Sequence, residues 1–189
     1  MNAGDAAYFA DRLKTFQRQL DEAMFGSKLL ESADGAKLWA MMLKGQLDGF
    51  VKEHGGNPVM GGWWGAMKPL AGTKIITYHR SWSYFTNRFG LDVIDQLEPK
   101  PGIEPTPSHL SDVIQKIQDQ NVKFLLMEPF YSRQAPDFVA GKTGIKIVQV
   151  AGSVGGQPAA SDYVHLIDNV VKECVAAVKG TTSVASQGK

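Results

Sequence analysis

The chain has a single cysteine, Cys174, in 189 residues. That excludes an internal disulfide and any cysteine-rich zinc site. It also lacks an excess of either charge: 20 basic residues face 19 acidic ones, for a net charge of +1 and a pI near 7.8. Such a balance provides no electrostatic footprint for nucleic acid or for an anionic membrane surface. No run of about eighteen apolar residues occurs, so no helical membrane span is expected. The opening Met1-Asn2-Ala3-Gly4-Asp5 carries neither a basic patch nor an apolar stretch behind it and does not read as a signal peptide. Motifs of phosphate and acyl chemistry are missing too. Gly152-Ser153-Val154-Gly155-Gly156 lacks the lysine of a phosphate loop, and neither Gly-x-Ser-x-Gly nor His-Glu-x-x-His is found. What is present is 43% hydrophobic content, enough to build a packed core and too much for a disordered chain. The length suits one compact domain, or one domain with an appended helical piece.

The apolar pattern divides the chain near residue 73. Before it, Phe9, Leu13, Phe16, Leu20 and Met24 recur every three or four residues, predicting a helix over Ala3 to Phe25 capped by Asn2 or Asp5. At about 30 Å this helix is longer than a small lobe requires. Asp34 is placed to cap a second helix through Leu38, Leu47 and Val51, which Gly45 and Gly49 weaken. Gly61 to Met67, with Trp63 and Trp64 between glycines, reads as a short helix or turn whose tryptophans pack on the core.

From Thr73 onward strands alternate with helices. The expected strands are Lys74 to Tyr78, Leu91 to Leu97, Val122 to Met127 and Ile145 to Val150. Between them lie a short helix from Ser81 or Ser83 ending at Gly90, a helix opened by Thr106 and Pro107, and a helix over Arg133 to Ala140. Prolines 99, 101, 105 and 107 stiffen the loop after the second strand. A last helix, Ser161 to Val178, precedes a small polar tail, 181–189, expected to be flexible. Short buried strands separated by helices predict an α/β fold: a parallel four-stranded sheet with helices on both faces, preceded by the long helix and a small helical segment.

Ligands of such sheets gather beyond the carboxyl ends of the strands. The residues found there are His79, Glu98-Pro99, Glu128-Pro129 and the Ala151-to-Gly156 run. An imidazole beside carboxylates suits zinc, manganese or iron. A lone histidine at a strand end is, however, more often a structural hydrogen bonder than a ligand. Glu98 is read as an ion-pair partner for Arg80, Lys100 or Arg133. Glu128 follows a strand expected to be central, where a buried carboxylate is costly without a cation, and is the stronger functional candidate. His54 and His109 read as surface residues, His165 as a histidine without an evident partner, and Cys174 as a packing residue.

The run Lys74-Ile75-Ile76-Thr77-Tyr78-His79-Arg80-Ser81-Trp82-Ser83-Tyr84-Phe85, followed by Phe89-Gly90-Leu91, resembles the second lobe of the zinc/manganese ABC-transporter solute-binding proteins. So do Glu98-Pro99-Lys100-Pro101-Gly102-Ile103, Pro107-Ser108-His109-Leu110, Glu128-Pro129-Phe130-Tyr131, Val154-Gly155-Gly156 and Asp162-Tyr163. The resemblance covers about residues 73 to 178, and the first helix is similar to the long helix that joins that family's two lobes. It implies a periplasmic or extracytoplasmic binding protein, not an enzyme, that takes zinc or manganese as cargo and delivers it to a membrane ABC permease. His79 matches the second-lobe histidine ligand. Many members carry an Asp after the last strand where this chain has Ala151-Gly152-Ser153-Val154, so the resemblance leaves the acidic role to Glu128 or to water. It implies 1–72 as linking helix plus helical segment and 73–180 as the metal-binding lobe. The family's first lobe, which supplies two histidines, has no counterpart here, and an uncovered helix stripe then favours self-association. The alternatives are a small α/β enzyme or sensor using His79 and Glu128, and a lobe serving only as an interaction module.

Overall fold

The computed structural model describes residues 3–100 and 102–180. Two compact units divide between Ala66 and Met67. In the first, helix α1 covers Ala3–Phe25, α2 Ser27–Leu30, α3 Gly35–Leu43, α4 Leu47–Glu53, and α5 opens at Gly62 and runs to Met67. The expected α1 is therefore present with its predicted bounds, while the cap assigned to Asn2 lies outside the described residues. The single helix expected after Asp34 is two. Asp34 does cap α3, its carboxylate accepting from the Lys37 N–H at 2.8 Å. The chain then breaks at Gly45, which adopts φ +69° and ends α3. The four-residue α2 carries too few apolar positions to show a period.

The core of this unit is built from Phe25, Leu29, Leu38, Leu47, Phe50, Val51, Trp63 and Trp64, all buried. Asp21 of α1 accepts the Trp39 indole N–H at 2.7 Å, and Phe25 meets the Trp39 ring edge-on. Gly35 lets α3 approach α1 closely, since a Cβ there would displace the Asp21 carboxylate that bonds Trp39. The α1 stripe is only partly used: Met24 is buried, whereas Phe9 and Leu13 are exposed.

The second unit holds the sheet. Strand β1 is Lys74–Thr77, β2 Asp92–Gln96, β3 Phe124–Met127 and β4 Lys146–Gln149. Its helices are α6 Ser83–Phe89, α7 Pro107–Gln120, α8 Gln134–Thr143 and α9 Tyr163–Lys179. The strands are all parallel, in the order β2-β1-β3-β4. Each expected strand is found, one or two residues shorter at its ends. β3 is the most buried, all four of its side chains being inside.

Alternation along the strands splits the core between the two faces. Ile76, Tyr78, Leu125 and Met127 pack with Val113 and Ile117 of α7 and Val139 of α8. Ile75, Phe124 and Leu126 fall on the other face by alternation, and α9 lies against β3 and β4. Cys174 of α9 is fully buried, and burial pushes its thiol up to about 12. It is a packing residue, as expected.

Caps place the helices. Thr106 accepts from the His109 N–H at 3.2 Å with Pro107 at the first helical position, as the sequence predicts. Thr106→Ala is expected to destabilise the unit by about 1 kcal/mol, measured as a lowered urea midpoint with the β-sheet signal intact. Asp162 caps α9 by accepting from the His165 N–H, and its other carboxylate oxygen meets the His165 ring at 2.6 Å. These bonds hold the Asp162 carboxyl below its ordinary range, and they correct the reading of His165 as partnerless. The expected flexible tail, 181–189, lies outside the described residues, as does Pro101 of the proline-rich loop.

Candidate metal site

The strand order fixes where a ligand would sit. β1 is followed by β2 on one side, and the chain then crosses back to place β3 on the other. The sheet therefore changes direction between β1 and β3, and in open parallel sheets the crevice at that point receives ligands. His79 stands two residues beyond β1 and Glu128 one residue beyond β3. Since Thr77 pairs with Leu126, continuing the register brings His79 opposite Glu128. Glu98 follows β2 on the other flank of β1, its N–H donating to the Tyr78 carbonyl at 3.0 Å.

All three side chains are buried: His79 is 8% exposed, Glu98 7% and Glu128 3%. His79 Nε2 and Glu98 Oε1 are 3.5 Å apart. Glu98 Oε1 accepts the Gly102 N–H at 2.8 Å, and the Tyr78 phenol lies close enough to feel the same carboxylate. Burial, then Glu98, pushes the Tyr78 phenol up to about 12. Among the described residues Glu98 pairs with neither Lys nor Arg, contrary to the sequence reading: Arg133 is engaged with Asp137 at 2.7 Å, and the side chain beside Glu98 is the His79 imidazole. What hid this was distance in sequence, because the pairing of β1 with β2 is what sets Glu98 beside His79.

Glu128 is the least solvated of the three. Among the described residues its Oε2 has no hydrogen-bond partner, and its other oxygen lies against Gly152, where an added Cβ would come within 3.4 Å of Oε1. Tyr131 lies among these groups. Its ring stacks on Tyr78 at 4.3 Å and 8° and meets His79 edge-on at 4.9 Å. Its phenol is raised by burial first, then by the negative charges of Glu128 and Glu98, so both carboxylates act on this one ring. Among the described residues no three His, Cys, Asp or Glu side chains are grouped closely enough to hold a metal ion by themselves. What the strand ends bring together is one imidazole, a carboxylate beside it, and a buried carboxylate whose Oε2 has no hydrogen-bond partner among the described residues.

The other histidines are placed elsewhere. His109 Nε2 bonds the Gln96 carbonyl at 2.8 Å and ties α7 to the end of β2, a structural role that its position on a helix start did not reveal. His54 bonds the Phe50 carbonyl at 2.8 Å and stacks on the Phe50 ring.

The family profile described as ZnuA, zinc-uptake complex component A, periplasmic, matches residues 65–177, which is more than half of the chain and includes His79, Glu98 and Glu128. The chain belongs to this family. The membership agrees with the resemblance drawn from the motifs, and the all-parallel α/β unit is the fold expected from it. Solved structures share the architecture. A crystal structure of ZnuA aligns with a TM-score of 0.52 at 20% identity over 80% of this chain and 54% of that one. The solute-binding protein FpvC from Pseudomonas aeruginosa in complex with Mn2+ gives 0.51 at 20% identity, over 77% and 50%. The laminin-binding adhesin Lmb from Streptococcus agalactiae, as a mutant, gives 0.50 at 19% identity, over 77% and 52%. This chain of the zinc-uptake component family thus spans about half the length of the solved structures it matches. No curated protein sequence matches it.

Proposed function

We propose that this chain is the second, metal-holding lobe, with its linking helix, of a transition-metal receptor that binds zinc or manganese outside the cytoplasm and passes it to an ABC permease. The function is binding and release, with no bond made or broken in the cargo. The observation that carries this reading is the buried Glu128 oxygen without a partner, beside the strand-end position of His79, within the stretch that matches the family. A carboxylate this buried is costly without a positive charge, and a divalent ion supplies one. His79 then gives a nitrogen donor and Glu128 an oxygen donor, and the remaining positions fall to water or to donors from outside this lobe. FpvC was solved with Mn2+, which fits a nitrogen-and-oxygen donor set that several metals accept. The exposed Phe9 and Leu13 of α1 support packing against further protein, either a first lobe or a second copy.

Calorimetric titration of the chelator-stripped chain with zinc and with manganese tests the reading. One saturable site is expected, weakened at least tenfold by His79→Ala and by Glu128→Ala. Binding that both variants leave unchanged would place the metal elsewhere and remove the assignment.

A further inference from the structure

Thr77 falls by alternation on the sheet face that carries Ile75. It lines a cavity of about 420 Å³ whose other lining residues come from β2, α6 and the turn before α6. We propose that this cavity binds a small zwitterion of the amino-acid class, Arg80 taking its carboxylate and Asp92 its ammonium, with Thr77 and Trp82 adding hydrogen bonds. The proposal stands apart from the metal reading, although His79 also lines the cavity.

The first observation is a pair of unanswered polar atoms. Thr77 is 2% exposed and Trp82 7%. Among the described residues, neither Thr77 Oγ1 nor Trp82 Nε1 has a hydrogen-bond partner. Folded proteins seldom leave such atoms unpaired. The indole N–H is a donor only, so what answers it is an acceptor. The other two hydroxyls of the lining are used up by the turn itself. Ser83 donates to the Arg80 carbonyl at 2.8 Å, and Thr86 to the Ser83 carbonyl at 3.2 Å. One indole and one hydroxyl, from either side of His79 in the chain, are left for a ligand.

The second is charge. Arg80 and Asp92 are the lining residues of fixed charge, and both are exposed. Among the described residues neither is in an ion pair, with the other or with a third group. A guanidinium presents a fork of donors that matches a carboxylate, and a carboxylate such as Asp92 accepts from an ammonium. One unpaired charge of each sign in one cavity is complementary to a ligand that carries one of each. A plain anion would meet Asp92, and a plain amine would meet Arg80.

The third is size. The cavity falls within the roughly 300–1,000 Å³ of small-molecule pockets, and one water, at about 30 Å³ in the liquid, fills little of it. The side-chain amides of Asn87 and Gln96 also line it, and amides both donate and accept, which suits a polar ligand side chain. Thr77 Oγ1 and Trp82 Nε1 are closed to bulk water in the free chain. Ligand entry therefore turns the Trp82 indole toward the cavity, and that movement supplies the readout.

The test is an NMR titration of the whole nitrogen-15-labelled chain, kept in chelator so that no metal contributes. The probes are the twenty common amino acids, acetate and ethylamine, and Trp82→Phe identifies the Trp82 indole signal. At least one amino acid is expected to shift that signal saturably, with acetate and ethylamine at least tenfold weaker. Arg80→Gln and Asp92→Asn should each weaken the binding at least tenfold, and their thermal midpoints should stay within a few degrees of the parent because both residues are exposed. Thr77→Val, which keeps the shape and removes the hydroxyl, should weaken it severalfold. If no amino acid moves the indole signal, the cavity holds water only and the proposal falls. Acetate or ethylamine binding as tightly as the best amino acid overturns the zwitterion, and binding that both charge variants leave unchanged places the ligand elsewhere. Each of these failures leaves the metal reading of His79 and Glu128 standing, since no metal enters the experiment.

Discussion

Replacing Glu128 by methionine is expected to make the metal-free chain more stable while weakening its hold on metal. The parent keeps a carboxylate 3% exposed whose Oε2 has no hydrogen-bond partner. A buried polar atom left in that state costs about 1–3 kcal/mol, and apolar replacements of buried charged groups are often neutral or stabilising. Methionine is close in volume and flexible enough to fill the space beside Gly152. In chelator, Glu128→Met should raise the urea midpoint by an amount equivalent to about 1–2 kcal/mol. With saturating zinc the order should reverse, because an ion that binds only the folded parent adds to its stability in proportion to its affinity. A variant less stable than the parent in chelator would mean that Glu128 contributes to the fold itself, and the argument from its vacant oxygen would fall.

The second large effect is structural. Phe124 is fully buried in β3, paired on one side with Ile75 of β1 and on the other with Lys146 of β4. It lies on the sheet face opposite the one packed by α7 and α8. Phe124→Ala is expected to cost about 3–5 kcal/mol, since β3 is central and cannot collapse around the space without moving both neighbours. Phe124→Leu should cost much less, because most of the packed volume remains. Urea denaturation followed by far-UV circular dichroism checks both. A loss below about 1 kcal/mol in the alanine variant would contradict the central placement of this side chain. The consequence reaches the site, because Glu128 directly follows β3 and is positioned by it.

Much of this was readable in order along the chain. The bounds of α1, the Thr106 cap with Pro107, the stop at Gly90 and the four strands all follow from local rules. Apolar spacing, a hydroxyl able to accept an N–H, and glycine at a positive φ act over a few residues and leave a mark in the sequence. The break at Gly45 went unread because a glycine inside an apolar period has two outcomes, a weakened helix or an interrupted one. The interruption here accompanies burial of Leu47, Phe50 and Val51. The α2 turn is too short to carry a period at all.

At the site, the sequence by itself determined the fold class and the list of strand-end residues, His79, Glu98 and Glu128. It also determined the family, through motifs spread over the second unit. Those properties depend on local pattern and on residue type. Only the tertiary structure decided the partners. Strand order set Glu98 beside His79 and away from the basic residues nearest in sequence, and burial at the end of β3 left Glu128 Oε2 without a hydrogen-bond partner among the described residues. Local propensity places a residue at a strand end, but which residues meet there depends on pairing between segments far apart in the chain, and that order is fixed only when the sheet closes its core.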